Sequence, residues 1–222
     1  MNDKFMNTYK RTGLILEKGK GATLWDKSGK TYLDLGSGIA VSALGHGHPA
    51  LVAAIADQAG KLIHTSNYYT TDTANAFAAE LVAACAKTGM KKVFLANSGA
   101  EANEGAVKIA RKYSLVKYGP GRHRIVTLKG SFHGRTITTL AATGQDKFHK
   151  DFGPFTEGFE YIESGSLEAL KAAFDGTVCA LLMEPVQGES GIRPLDPGFV
   201  KAAAALCKEH DVLLAFDEIQ SG

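Results

Sequence analysis

The sequence of 222 residues lacks the features that mark membrane, exported and nucleic-acid-binding proteins. Its apolar runs, such as Val178–Met183, are much shorter than the ~18 residues that a membrane span needs. The first ten residues, MNDKFMNTYK, lack the apolar core of a signal peptide. With 25 basic and 23 acidic residues, the net charge is only +2 and no basic stripe appears. We therefore expect neither a membrane nor a nucleic acid as a partner.

Cysteine is scarce, and the common nucleotide-binding motifs are absent. The three cysteines, Cys85, Cys179 and Cys207, show no CxxC or Cys/His spacing, so we expect no metal site and a reducing, cytoplasmic location. No G-x-G-x-x-G follows a strand, and the segment from Gly13 to Lys20 has five rather than four residues between its glycines. The 45% hydrophobic and 22% charged residues are typical of a globular protein.

The order of the elements predicts two parts. Residues 1–60 form an N-terminal segment, with a hairpin around Asp26 to Gly29 and a helix opened by Pro49. Residues 61–222 form an α/β domain in which apolar strands alternate with helices, and this predicts a largely parallel sheet with helices on both faces. The predicted strands are Val93–Leu95, Arg124–Leu128, Phe159–Ile162, Val178–Met183 and Val212–Phe216. Only five residues follow Asp217, so we expect the front part of a longer protein, truncated before its last strands.

The strongest local motif is Asn97-Ser-Gly-Ala-Glu-Ala-Asn103, at the start of a predicted helix. Ser98 can cap the helix, and Glu101 completes a capping box. Ala106, Ile109, Ala110, Tyr113 and Val116 are predicted on its inner face. The amides of Gly99 and Ala100 then lie at the positive end of the helix dipole, where they can bind an anion such as phosphate. The alternative is an ordinary, well-capped helix start.

Further candidates follow other strands. Phe132 can stack on a planar ligand and Arg135 can bind a carboxylate, although an isolated Phe is usually core and an isolated Arg usually solvated. Asp217 follows a very apolar strand, so its carboxylate needs a cationic or hydrogen-bonding partner. His133 is interpreted as a structural hydrogen-bonding residue. Because these groups share the carboxyl edge of one sheet, they suit a flat, phosphorylated ring that bears an amino acid.

Taken together, the motifs resemble those of the class III aminotransferases over essentially the whole chain. The motifs that carry the resemblance are Asp34-Leu-Gly-Ser-Gly-Ile-Ala-Val, Leu44-Gly-His-Gly-His-Pro, His64-Thr-Ser-Asn, Asn97-Ser-Gly-Ala-Glu-Ala-Asn, Ser131-Phe-His-Gly-Arg, Glu184-Pro-Val-Gln-Gly-Glu and Phe216-Asp-Glu-Ile-Gln. The resemblance implies the fold type I of pyridoxal-phosphate enzymes and pyridoxal 5′-phosphate as the cofactor. It implies that Ser98, Gly99 and Ala100 hold the phosphate, that Phe132 stacks on the ring and that Asp217 pairs with the ring nitrogen.

The resemblance also implies the remaining roles and the reaction. Gln220 would lie near the ring oxygen, Arg135 would bind the substrate carboxylate, Glu189 would line the substrate pocket, and Glu184 would be structural support. The expected substrates are an amino acid and a 2-oxo acid: the terminal amino group of N-acetylornithine or a related ω-amine moves to 2-oxoglutarate, as in arginine biosynthesis. Family members are homodimers with a small C-terminal domain, so we expect a homodimer for the longer protein.

The sequence departs from the family pattern in one respect. The lysine that carries the cofactor follows the Asp-Glu-x-Gln segment by some tens of residues in the family, and no lysine of this sequence lies at a matching motif. We therefore nominate no catalytic residue and expect these 222 residues to be inactive alone. Ornithine, succinylornithine, 4-aminobutyrate and glutamate semialdehyde enzymes share these motifs and remain alternatives. The alternative from another class is a non-enzymatic module that binds a phosphorylated ligand or a partner.

Overall fold

The computed structural model describes residues 4–222. Its contacts divide the chain into two compact units, Met1–Phe77 and Ala78–Gly222. This division follows contacts alone, so the domain limit predicted at residue 60 stays a prediction.

The first unit contains a small antiparallel sheet of β1 (Leu16–Lys20), β2 (Thr23–Asp26) and β3 (Thr31–Leu33), in that order. The predicted hairpin is confirmed between β2 and β3. In its turn, Asp26 Oδ1 accepts hydrogen bonds from the amides of Ser28 and Lys30, at 2.8 and 3.0 Å. An irregular turn, α1 (Ser37–Ala40), precedes the helix α2 (Pro49–Ala59). The next helix, α3 (Asp72–Ala84), begins in the first unit and ends in the second.

The second unit is built on a four-stranded parallel sheet, as predicted. The strands are β4 (Arg124–Leu128), β5 (Phe159–Ile162), β6 (Val178–Met183) and β9 (Leu213–Phe216), in the spatial order β5-β4-β6-β9. The helices are α4 (Gly99–Tyr118), α5 (Ile137–Ala142), α6 (Leu167–Ala173) and α7 (Pro197–Glu209). A short antiparallel pair, β7 (Val186–Gln187) and β8 (Arg193–Pro194), lies between β6 and α7 in the chain.

Both faces of the parallel sheet are covered by helices. Strand β6 is buried along its whole length, which fits its unbroken apolar sequence. One core cluster joins the sheet to α6 and α7, through residues such as Leu170, Leu181 and Phe199. The other joins it to α4 and α5, through Val107, Ala142 and Leu182 among others. The α/β architecture expected from the sequence is therefore confirmed.

The predicted strand Val93–Leu95 does not form. None of residues 4–222 pairs with it in a ladder, and Phe94 and Leu95 are 63% and 51% exposed. An extended apolar segment becomes a strand only when a neighbouring strand takes its backbone hydrogen bonds. The prediction was wrong because the apolar pattern does not show whether a neighbouring strand is present.

The inner face of α4 also differs from the prediction. Ala110 is buried as expected, but Ile109, Tyr113 and Val116 are 59%, 38% and 74% exposed. The fully buried stripe is instead Asn103, Val107, Ala110 and Ser114. Two of these residues are polar, and both are hydrogen-bonded: the Ser114 hydroxyl donates to the Arg122 carbonyl at 2.6 Å, and Asn103 donates to the buried Asp217. The side of this helix that faces the sheet therefore combines apolar packing with two hydrogen bonds.

Replacement of Gly144 by alanine is expected to destabilise the second unit by about 2–3 kcal/mol. A methyl group there would lie 2.2 Å from the Leu128 carbonyl oxygen, which belongs to the backbone of β4. Urea unfolding followed by far-UV circular dichroism measures the effect. Tryptophan fluorescence would not report on the second unit, because the single tryptophan, Trp25, lies in the first.

Gly176→Ala is the matched control. No atom lies within 4 Å of a methyl group at Gly176, so its stability is expected to change by less than about 0.5 kcal/mol. Equal effects of the two substitutions would contradict the steric argument.

Candidate functional site

The candidate site lies at the carboxyl edge of the parallel sheet in the second unit. Ser131, Phe132 and His133 follow β4, Glu184 follows β6, and Asp217 follows β9, and these three strands are neighbours in the sheet. Parallel strands end at the same edge, which is where open α/β folds bind their ligands.

The Asp217 carboxylate is buried and held by two side chains. It is 7% exposed, and its Oδ2 accepts hydrogen bonds from Asn103 Nδ2 and His133 Nδ1, both at 2.8 Å. Among the contacts of residues 4–222, its Oδ1 accepts only the Ile219 amide, at 3.2 Å. The partner that the sequence required for this carboxylate is thus an amide from α4 together with an imidazole from the loop after β4.

The surroundings of Asp217 favour its charged form. Burial is the largest influence and opposes ionisation. The hydrogen bond and charge of His133, with the hydrogen bonds of Asn103 and the Ile219 amide, outweigh it and lower the pKa of Asp217 below 3.8. The carboxylate is therefore an anion at neutral pH.

His133 is held by hydrogen bonds of its ring, its backbone amide and its backbone carbonyl. Its side chain is fully buried, its amide donates to Thr143 Oγ1 at 3.0 Å, and its carbonyl accepts from Asn103 Nδ2 at 2.9 Å. Because the Asp217 carboxylate can only accept, the proton of this contact lies on His133 Nδ1. Nε2 has no hydrogen-bond partner among residues 4–222. His133 is thus a hydrogen-bonding residue whose partner is the central carboxylate.

The start of α4 lies against the same groups. Ser98 Oγ accepts the Glu101 amide at 3.2 Å, which confirms Ser98 as the cap. The capping box is incomplete, because the Glu101 carboxylate accepts the amide of Asn97, at 2.7 Å, instead of that of Ser98. Amides in the first turn of a helix have no acceptor within the helix, so those of Gly99 and Ala100 are available to an anion.

Two glycines allow the loops to approach the start of α4. A methyl group at Gly99 would lie 2.8 Å from Ile219 Cγ1, in the loop after β9. A methyl group at Gly134 would lie 2.8 Å from Ala100 Cβ, and Gly134 has a φ of +134°, which favours glycine. The helix start, the loop after β4 and the loop after β9 therefore meet at one place.

Phe132 and Arg135 share a contact with Phe148. The Phe132 ring meets the Phe148 ring edge-on, with centroids 5.5 Å apart, and the Arg135 guanidinium lies 5.7 Å from the Phe148 centroid. Phe132 is half-buried and Arg135 is exposed. The ring and the cation nominated from the sequence are thus brought together by a third residue that the sequence analysis did not nominate.

The loop after β6 contributes Glu184 and Glu189. Glu184 is buried, and its pKa is raised above 4.5, chiefly by burial, although the Phe132 amide and His133 partly oppose this effect. Glu189 and Gln220 are exposed. Gln220 packs over Gly188, where an added methyl group would lie 3.5 Å from its Cβ.

Sequence reasoning did not nominate Asn103, whose amide joins Asp217 to the loop after β4. Asn103 lies on the stripe that continues to Val107 and Ala110, so a polar residue in line with two small apolar ones was the available signal. Its partner lies 114 residues away in the chain, and the sequence does not identify that partner.

The model of the family described as aminotransferase class-III matches residues 5–222. The chain belongs to this family. It is 51% identical over 217 residues to an acetylornithine aminotransferase of Caldanaerobacter subterraneus subsp. tengcongensis, a match that covers 98% of this chain and 54% of that protein. A succinylornithine transaminase/acetylornithine aminotransferase of Pseudomonas aeruginosa is 46% identical, with 99% and 54% covered.

The crystal structure of ornithine aminotransferase from Toxoplasma gondii matches with a TM-score of 0.91 and 36% identity, over 99% of this chain and 52% of that one. The chain thus spans about half the length of the relatives it matches. The family assignment confirms the predicted fold of a pyridoxal-phosphate-dependent transferase, and pyridoxal 5′-phosphate is the cofactor of this family.

Asp217→Asn is expected to change how stability depends on pH. Because the pKa of Asp217 is lowered in the folded chain, its ionisation stabilises the fold above 3.8, and this contribution is lost as the pH falls through the lowered value. The difference in unfolding free energy between wild type and variant is expected to shrink as the pH falls through and below the ordinary titration range of an aspartate. Urea titrations at several pH values measure it, and a constant difference would contradict the assigned shift.

Proposed function

We propose that the protein containing this chain is a pyridoxal-phosphate-dependent aminotransferase that moves the terminal amino group of N-acetylornithine to 2-oxoglutarate, within arginine biosynthesis. The observation that carries the proposal is that three groups lie together at one edge of the sheet: the buried Asp217, the start of α4 and the loop after β4. The relatives named acetylornithine aminotransferase support the substrate. Succinylornithine is the second candidate, because two relatives carry its name.

The residues at the sheet edge fit the ring of pyridoxal 5′-phosphate. When bound, this group supplies a protonated pyridine ring that withdraws electrons from the amino-bearing carbon of the substrate. We assign Asp217 to the ring nitrogen. Since Oδ2 already accepts two strong hydrogen bonds and Oδ1 accepts one long one, Oδ1 is the oxygen offered to the ring N–H. Phe132 stacks on the ring, and Gln220 lies near its oxygen.

The helix start and the outer loops take the charged ends of cofactor and substrate. Ser98, Gly99 and Ala100 bind the phosphate through first-turn amides at the positive end of α4. Arg135 binds the substrate carboxylate, a role that suits a guanidinium held beside Phe148. Glu189 lines the substrate pocket from the loop after β6.

In this proposal, residues 1–222 alone do not turn over substrate. The family's cofactor-bearing lysine has no counterpart at a matching motif of this sequence, so no residue of this chain is assigned the proton transfer. The chain supplies the cradle for the ring and the phosphate. A non-enzymatic module that binds a phosphorylated ligand uses the same residues and is the alternative.

We further propose that the protein is cytoplasmic and forms a homodimer. All three cysteines are free thiols, which suits a reducing compartment. The described surface measures 15460 Å², whereas two separate folded proteins of the units' sizes would expose about 12,000 Å² together. The excess is of the order that obligate subunit interfaces bury, and it supports a covering partner.

Binding of pyridoxine 5′-phosphate tests the proposed cofactor site. This compound has the ring and the phosphate but no aldehyde, so it cannot react with surface lysines. The chain is expected to bind one equivalent, and Asp217→Asn is expected to weaken binding about tenfold, because a hydrogen bond to a charged group is lost. Titration followed by the ligand's own fluorescence gives the affinities.

Asp211→Asn is the matched control at the opposite end of β9. Asp211 is half-exposed and pairs with Lys117 at 2.5 Å, so its replacement is expected to leave the affinity unchanged. Absence of saturable binding, or equal affinities of Asp217→Asn and wild type, would contradict the proposed site.

Self-association of the chain tests the need for a partner. Because its accessible surface exceeds that of folded proteins of the units' sizes and carries many exposed large apolar side chains, we expect a species of at least twice 23.5 kDa. Sedimentation velocity measures the mass. A monomer at every concentration would contradict the expectation.

A further inference from the structure

Glu184 is a buried carboxyl group that the proposed function does not use. It is 5% exposed and follows β6, the most deeply buried strand. Its Oε1 accepts the Phe132 amide at 2.8 Å, and its Oε2 accepts the Gly188 amide at 3.4 Å. One side chain therefore joins the loop after β4 to the loop after β6.

A second side chain of the same segment reinforces this connection. Gln187 is 2% exposed, and its Nε2 donates to the Lys129 carbonyl at 3.0 Å. Its Oε1 would lie 2.9 Å from a methyl group at Gly130, so the contact requires glycine there. The loop after β4 is thus held at Lys129 and at Phe132 by two buried side chains from one neighbouring segment.

The contacts of Glu184 indicate which role it has. Both carboxyl oxygens bind backbone amides, and burial in this setting disfavours the charge, so keeping the group there carries a cost. Its short contact, at 2.8 Å, is the one with the Phe132 amide. Glu184 therefore acts on the backbone of Phe132.

We propose that Glu184 is a positioning residue: it fixes the backbone of Phe132 and so holds the phenyl ring in the plane that a flat ligand requires, and it ties that ring to the loop that carries Glu189. The role of the Phe132 ring towards a ligand rests on the proposed function. The hydrogen bond between Glu184 and the Phe132 amide does not, and the experiments below test the two separately.

Hydrogen exchange at the Phe132 amide measures the connection directly. In Glu184→Ala the acceptor is lost, and exchange of this amide is expected to accelerate about tenfold or more. Glu184→Gln keeps a carbonyl acceptor for Phe132 and is expected to restore most of the protection. NMR at single-residue resolution gives both rates. Unchanged exchange at Phe132 in Glu184→Ala would overturn the proposal.

Two controls show that the effect is local. Glu163→Ala removes an exposed carboxylate that pairs with Lys129, and it is expected to leave the Phe132 amide unchanged. Amides of β4 such as Val126 report global opening. If these amides also exchange faster in Glu184→Ala, the substitution has destabilised the whole fold, and Glu184→Gln then provides the test. There the Phe132 amide proton is expected to change its chemical shift because its acceptor changes from a carboxyl to an amide oxygen, and no movement would overturn the proposal.

Affinity for pyridoxine 5′-phosphate separates this proposal from the proposed function. We expect Glu184→Ala to weaken binding about tenfold and Glu184→Gln to recover it, in parallel with the exchange rates. If wild type does not bind while the exchange results hold, Glu184 still fixes Phe132 and the proposed function fails. If wild type and Glu184→Ala bind equally while the Phe132 amide is exposed, the proposed function stands and the positioning role is overturned.

Discussion

Burial of the Asp217 carboxylate is the constraint on which the arrangement of the sheet edge depends. A buried carboxylate costs several kcal/mol unless donors replace its water, so the fold must bring such donors to the end of β9. They come from Asn103 in α4 and His133 after β4, both 2.8 Å from the same oxygen. One anion therefore fixes the relative positions of a helix and two strand ends.

The same constraint explains why α4 buries a mixed stripe. Its sequence offers a more apolar side in Ile109, Tyr113 and Val116, and burial of that side against the sheet would remove more apolar surface from water. Turning α4 that way would take Asn103 away from Asp217 and leave a buried carboxylate short of one donor. The orientation observed is the one that keeps the Asn103 amide on Asp217, although it leaves these apolar side chains exposed.

Local signals in the sequence predicted local structure well. Four of the five predicted strands, the Ser98 cap and the hairpin at Asp26 follow from neighbouring residues, and the structure has them. The sequence could not predict contacts between distant positions, such as Asn103 with Asp217 or Phe132 with Glu184, 114 and 52 residues apart. It also could not show whether Val93–Leu95 had a partner strand. Those outcomes depend on which elements become neighbours, and the pattern within one element does not contain that information.

Glu184 and Asp217 are two buried carboxyl groups at the same edge of the sheet, and their pKa values are shifted in opposite directions. Burial raises the pKa of Glu184, because its partners are two backbone amides and one of them is distant. At Asp217 an imidazole and a side-chain amide outweigh burial, and the pKa falls. In the proposed function, the anion is thus kept where a cationic ligand ring can use it. The group that only holds a loop can lose its charge without removing a ligand contact, provided that it still accepts the amide of Phe132.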